Sequence, residues 1–248
     1  MSNVHTLLVV WQNSISRLYY HIGTLSHYDD QYEFSYTHSQ PGKGKLGDAL
    51  KNGYMYHPAF PISDKVYRSK NLFPAFDRRL PSTDRLDFKA ILSDLGLTEN
   101  STRMELLQQT RGRLTTDTYS FEQPLRLGEG NKLYSSFFVH GMRHRNLPND
   151  WHTWFKESQS LKLAQEPTNP YDPHAVGIYT HSGTHIGYVP NFYSTAIFSL
   201  LEASAEPSVT VEYINEKSNP HWWLKVNYES EVPSLSETTS EALSPVMT

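Results

Sequence analysis

The sequence predicts an α+β chain of two domains: a strand-rich first half with two short helices, then a small closed or sandwich-like β domain with one helix. Three observations carry this. At 248 residues the chain exceeds the usual single domain of about 100–150 residues. Short apolar runs of period two, separated by turn residues, dominate both halves. Helical period shows in three places, at 86–96, 101–112 and 194–202.

In chain order, Thr6 to Trp11 is apolar and β-branched, and Arg17 to Leu25 and Gln31 to Tyr36 alternate around a turn at Asp29-Asp30. Pro41 to Gly53, with three lysines and four glycines, predicts a mobile loop. Phe88, Ile91, Leu92 and Leu95 fall at i, i+3, i+4, i+7, and Gly96 suits the left-handed stop of that helix. A second helix is expected from a cap at Ser101 through Met104 and Leu107 to Gly112. Strands follow at Phe137 to Arg143, Leu161 to Gln165, Ala175 to Tyr179 and His185 to Val189. Ser194 to Glu202 reads as a helix, and Val209 to Tyr213 with Leu224 to Tyr228 as a hairpin. The expected limits are 1–121 for the first domain, 122–132 for a linker, 133–228 for the second domain and 229–248 for a disordered acidic tail.

Composition narrows the class. Hydrophobic residues at 38% and aromatic residues at 13% exclude a wholly disordered chain. The absence of cysteine excludes disulfides, thiolate metal sites and a cysteine nucleophile. The run Leu7 to Val10 is too short for a signal segment, and no stretch reaches the roughly 20 apolar residues of a membrane helix. A soluble, cytoplasmic protein without membrane contact is expected. The net charge of −4 is unevenly placed. Four glutamates and no lysine or arginine lie in 229–248, and removing them from the 26 acidic residues leaves the body balanced against its 22 basic ones. A neutral body argues against coating of nucleic acid, while local grip on a strand end stays open.

The densest chemistry is Glu166-Pro167-Thr168-Asn169-Pro170-Tyr171-Asp172-Pro173-His174-Ala175-Val176. Three prolines force an extended, turning backbone just before a strand. Such a loop offers Tyr171 as a stacking face, worth about 1–3 kcal/mol per base, and Asp172 as an acceptor for a sugar hydroxyl. Arg143 supplies a phosphate contact. A structural role competes with this: Asp172 capping its own turn, and Tyr171 wedging the loop onto the domain.

At these residues the chain resembles the HIRAN domain, found at the N-terminus of fork-remodelling SWI/SNF-type helicases and as free-standing bacterial proteins. The resemblance rests on Glu166 to Val176, on Gly183-Thr184-His185-Ile186-Gly187-Tyr188-Val189-Pro190 and on Gly141-Met142-Arg143, and spans roughly 133–228. It implies an OB-like β-barrel that holds the 3′ end of single-stranded DNA. Asn169, Tyr171 and Asp172 match the loop that packs on the terminal nucleotide and contacts its 3′-hydroxyl, and Arg143 matches the basic residue of the first strand. Tyr188 is a second candidate stacking ring. Two positions depart from the pattern: His144 stands where the helicase version has an aromatic stacking residue, and Asn191 where a basic residue commonly follows Gly-Tyr-Val-Pro.

The first half holds no phosphate loop, nucleophile elbow or His-Glu-x-x-His helix. Phe73 to Pro81 mixes aromatics with Arg78 and Arg79, either two rings packed on a sheet beside a solvated arginine pair or a docking edge for a partner or phosphate. Ile22-Gly23-Thr24-Leu25, Phe76 to Pro81, Leu106-Leu107 and Thr110-Arg111-Gly112 resemble, more loosely, the N-terminal subdomain of HipA-type toxin kinases without its catalytic part. The histidine spacings, His140 with His144 and His181 with His185, fit no metal-ligand pattern.

The expected function is non-catalytic recognition of single-stranded DNA, above all a free 3′-hydroxyl end, in DNA maintenance or defence, with no metal and no cofactor. The residues expected to bind are Arg143, His144, Asn169, Tyr171, Asp172, Tyr188 and Asn191. The alternative is an antitoxin-like or adaptor module that binds a kinase-like protein partner through the first half. A nucleic-acid hydrolase ranks third, for want of a carboxylate cluster.

Overall fold

A computed structural model describes residues 5–37, 45–115, 117–232, 240, 243, 246 and 247. The chain is α+β, with strand (33%) exceeding helix (23%), and it divides into two compact units, Met1–Gln123 and Pro124–Thr248.

In the first unit, β1 (Thr6–Gln12), β2 (Tyr19–Tyr28) and β3 (Gln31–Tyr36) form an antiparallel meander. The turn at Asp29-Asp30 has both residues at positive φ, 49° and 57°, the primed geometry that matches strand twist. After α1 (Leu46–Lys51), β4 (Tyr67–Ser69) joins the edge of β3. The helices α2 (Pro74–Asp77), α3 (Phe88–Asp94) and α4 (Arg103–Thr110) lead to β5 (Tyr119–Glu122), which pairs with β1. The sheet order is β4-β3-β2-β1-β5.

Leu7, Val9, Ile22, Phe34, Phe60, Phe76, Met104, Leu107 and Phe121 share one buried core. Gly23 lies where a Cβ would meet the Phe34 ring at 2.6 Å, so this glycine lets β3 pack its aromatic row against β2. The expected loop at 41–53 contains α1, which buries Leu46 and Ala49 on β2; residues 41–44 lie outside the described residues. The α4 cap is Thr102, in a reciprocal capping box with Glu105, one residue later than expected. Arg111 ends α4 at φ 55° and forms a buried ion pair with Glu122 of β5. Phe73 and Phe76 are buried as rings on the sheet. The arginines beside them part company: Arg78 is exposed, whereas Arg79 is buried, paired with Asp117 and 5.1 Å over the Tyr119 ring. A solvated arginine pair is therefore corrected to one surface cation and one structural one.

In the second unit, β6 (Arg126–Leu127) and a 3₁₀ turn at Glu129–Asn131 occupy the stretch expected as linker. Then come β7 (Lys132–Phe138), β8 (Ser160–Glu166), β9 (Ala175–Tyr179), β10 (His185–Tyr188), α5 (Asn191–Glu202), β11 (Ser208–Ile214) and β12 (Leu224–Glu231). Their order is β10-β9-β8-β11-β12-β7-β6, with every pairing antiparallel. Among the described residues the expected closed barrel is not found, and the strand order of the sheet ends at β10 and β6. One residue pair ties its two sides. His140, just beyond β7, and Tyr188 of β10 exchange backbone hydrogen bonds of 2.9 and 2.8 Å.

Helix α5 starts at Asn191 and packs on β9, burying Tyr193, Ala196, Ile197 and Leu200. β12 runs to Glu231, inside the stretch expected as tail, because its residues keep pairing with β7 as far as Lys132. Of the remaining tail, Leu243 and Val246 are buried, and most of it lies outside the described residues. No helix among the described residues is long and apolar enough to cross a membrane.

Candidate nucleic-acid interface

The chain between β8 and β9 carries Pro167, Pro170 and Pro173, which lack backbone donors and so cannot extend the ladder. Side chains hold the loop instead. Asn169 Oδ1 accepts from the backbone N–H of Tyr171 at 3.0 Å and of Asp172 at 3.3 Å. Asp172 Oδ1 accepts from the N–H of His174 at 2.9 Å, an Asx turn that leads into β9.

Asp172 is 8% exposed. Its Oδ2 accepts from Asn191 Nδ2 at 2.8 Å and from Ser194 Oγ at 2.7 Å, both in the first turn of α5. Two residues predicted from sequence to face a ligand thus hold each other and fasten the loop to the helix. Tyr171 faces the other way, 82% exposed and with no ring against it among the described residues.

Beneath the loop lies Glu166, the last residue of β8. Its Oε1 accepts from Tyr179 OH at 2.6 Å, and its Oε2 from Tyr188 OH at 3.0 Å and Asn169 Nδ2 at 3.2 Å. His185 Nδ1 stands 3.6 Å away. Burial works against the carboxylate, but the two phenols, the amide and the imidazole outweigh it and hold the Glu166 pKa below its ordinary value. Burial first, and then the Glu166 charge, pushes Tyr179 up to about 12 and raises Tyr188 as well, so both phenols stay protonated donors.

Arg143 and His144 do not lie on a strand. Gly141, at φ 76°, turns the chain out of β7 into a 3₁₀ turn at Met142–His144, anchored by buried Met142. Both side chains are exposed, and Arg143 Nε donates to His144 Nε2 at 2.8 Å. Desolvation, with Arg143 and Arg145 beside it, lowers the His144 pKa, so this ring is neutral near pH 7. Arg145 folds back, with its guanidinium 5.2 Å over the Tyr188 ring and Nη1 3.3 Å from His185 Nδ1. The turn also packs beside a second one, Pro220–Trp222, where the partly exposed Trp222 ring lies 5.8 Å from Phe138.

Tyr188 therefore joins two groups: the Asn169–Asp172 loop through its hydroxyl, and the Arg143–Arg145 turn through its ring and its backbone bridge to His140. Glu166, Tyr179, His185, Arg145 and Trp222 are members that sequence reasoning missed. Glu166 and His185 stood inside the quoted motifs, and Arg145 two positions beyond Arg143. His181 and His185 are taken up by Ser160 Oγ at 2.8 Å and the Gly187 carbonyl at 2.9 Å. Among the described residues no three His, Cys, Asp or Glu side chains are placed to hold a metal.

Residues 132–233 match the family described as the HIRAN domain. The crystal structure of the HIRAN domain of human HLTF is similar at 15% identity and TM-score 0.36, covering 47% of this chain and 93% of that one. A protein from Lactobacillus plantarum gives 17% identity and TM-score 0.35, over 40% of this chain and 98% of its own. The solution structure of the HLTF HIRAN domain gives 13% and 0.30, over 46% and 88%. No curated protein matches the chain. The family match lies wholly within the second unit, and the resemblance of the first half to HipA-type kinases receives no support.

Proposed function

We propose that the second unit binds single-stranded nucleic acid without cleaving it, and that the loop bearing Tyr171 receives the terminal nucleotide of a free 3′-hydroxyl end. The match of residues 132–233 to the HIRAN domain supports a nucleic-acid-binding role. The single observation that carries the finer reading is Tyr171: a ring 82% exposed on a loop whose backbone is fixed by Asn169, Asp172 and three prolines. An exposed tyrosine on a floppy loop would pay ordering entropy at each encounter, whereas this one is presented ready to stack.

The charges around the loop favour a hydroxyl over a phosphate at the terminus. Glu166 and Asp172 place two carboxylates behind it, and a terminal phosphate there would meet like charge. Internal phosphates fall to the Arg143–Arg145 turn, and Trp222 offers a second ring beside that turn.

Competition against a labelled linear oligonucleotide, using the whole protein and fluorescence anisotropy, tests this. Unlabelled linear single strands are expected to compete, and covalently closed single-stranded circles of the same sequence are not. Equal competition by circles overturns end recognition. Absence of binding to any strand overturns the nucleic-acid reading itself.

A further inference from the structure

Among the described residues of the second unit, Arg145 differs from the other half-buried cations, Lys132 and Lys225. Lys132 pairs with Glu229 and Lys225 with Glu212, and Arg143 leans on its neighbour His144. Arg145 is half-buried, yet no ion pair between described residues includes it. Its Nε is buried without a partner, its Nη1 makes only the 3.3 Å contact to His185, and its Nη2 carries no hydrogen bond to a described residue. A guanidinium presents five donors in a rigid fork, and here only Nε is shut away without a partner, which leaves the Nη2 donors open to an anion.

The contacts of Arg145 also decide what kind of anion fits. The guanidinium sits over the Tyr188 ring, whose hydroxyl touches Asn169, the residue that shapes the backbone of Tyr171. His185 Nε2 donates to the Gly187 carbonyl, so its neutral Nδ1 is an acceptor toward Arg145 and adds no competing cation. Burial lowers the His185 pKa, in keeping with that neutral form. Glu166 faces the same cluster, but its oxygens are already occupied by Tyr179, Tyr188 and Asn169.

Resting on the nucleic-acid reading above, we propose that Arg145 is a phosphodiester-binding residue of this site, using the unoccupied Nη2 side of its fork to grip the strand next to the nucleotide stacked on Tyr171.

The test is the salt dependence of single-strand binding for the whole protein and for Arg145→Gln, Arg145→Lys and Arg143→Gln. Losing one phosphate contact reduces the magnitude of the log K against log[salt] slope by about 0.7 for a single strand. Arg145→Gln is expected to lose that slope increment together with roughly 10-fold in affinity. Arg145→Lys keeps the charge without the planar stack, so it is expected to keep the slope while losing affinity. An Arg145→Gln slope equal to that of the unaltered protein overturns the assignment and leaves Arg145 a packing partner of Tyr188, while the nucleic-acid reading stands. Should Arg145→Gln fail to fold, Arg145→Lys serves instead, and a slope and an affinity both equal to those of the unaltered protein overturn the assignment. If the unaltered protein binds no single strand at all, both readings fall together.

Discussion

Asn191 donates its side-chain amide to the buried Asp172 carboxylate at 2.8 Å, so two residues expected from sequence to face a ligand instead lock the Asn169–Asp172 loop to α5. Donors from His174, Asn191 and Ser194 converge on Asp172. Truncating Asp172→Ala strands them, and the second unit is expected to lose about 2–4 kcal/mol. Urea unfolding followed by tryptophan fluorescence checks this, since four of the five tryptophans lie in that unit.

Tyr171 behaves in the opposite way. Its ring is exposed, so Tyr171→Ala leaves stability within about 0.5 kcal/mol while weakening single-strand binding by about 1–3 kcal/mol. Tyr171→Phe retains the binding, because the ring face and not the hydroxyl makes the stack. Paired unfolding and anisotropy titrations separate the two effects.

Gly187 guards the bridge between the loop group and the turn group. A Cβ there would meet the His140 carbonyl oxygen at 2.5 Å and Val139 Cγ1 at 2.6 Å. Gly187→Ala is expected to cost about 1–3 kcal/mol and to break the His140–Tyr188 pair. The turn of Arg143 to Arg145 then loses its register with the Tyr171 loop. Hydrogen exchange should show lost protection at the amides of His140 and Tyr188 while β11 and β12 stay protected.

Acid sensitivity is built into the first unit through His21. It is 2% exposed, its Nε2 bonds the Gly23 carbonyl at 2.9 Å, and its Nδ1 is buried without a partner. Burial lowers its pKa to about 4, against 6.5 when unfolded. The unfolded chain therefore takes up this proton first as pH falls. The stabilisation is full above pH 6.5, is lost between 6.5 and about 4, and amounts to about 3 kcal/mol. Hydrogen exchange of the β1–β2 ladder across that range is expected to follow this fall, and His21→Gln to flatten it.

Much of the fold is legible in the sequence where the signal is local. β3 and β9 occupy the residues predicted for them, and the Asp29-Asp30 turn and the Gly96 stop are set by conformations their own residues favour. α1 is hidden because Leu46, Ala49 and Leu50 span barely one turn in a stretch rich in glycine and lysine, and what stabilises it is burial of Leu46 and Ala49 on β2. The candidate site divides the same way. The Asn169–Asp172 turn can be read from its prolines and Asx residues. The Glu166 cluster cannot, since its donors arrive from Asn169, Tyr179 and Tyr188 on three successive pieces of chain. The direction of Asp172, inward to Ser194 instead of outward to a ligand, depends on where α5 packs.

The deciding measurement is anisotropy of the whole protein with one oligonucleotide carrying either a 3′-hydroxyl or a 3′-phosphate, repeated with Tyr171→Ala. A loop that stacks a terminal base before two carboxylates predicts tighter binding of the hydroxyl end, and loss of that preference in the variant. Equal affinity for both ends, unchanged by Tyr171→Ala, contradicts terminal-nucleotide recognition by this loop.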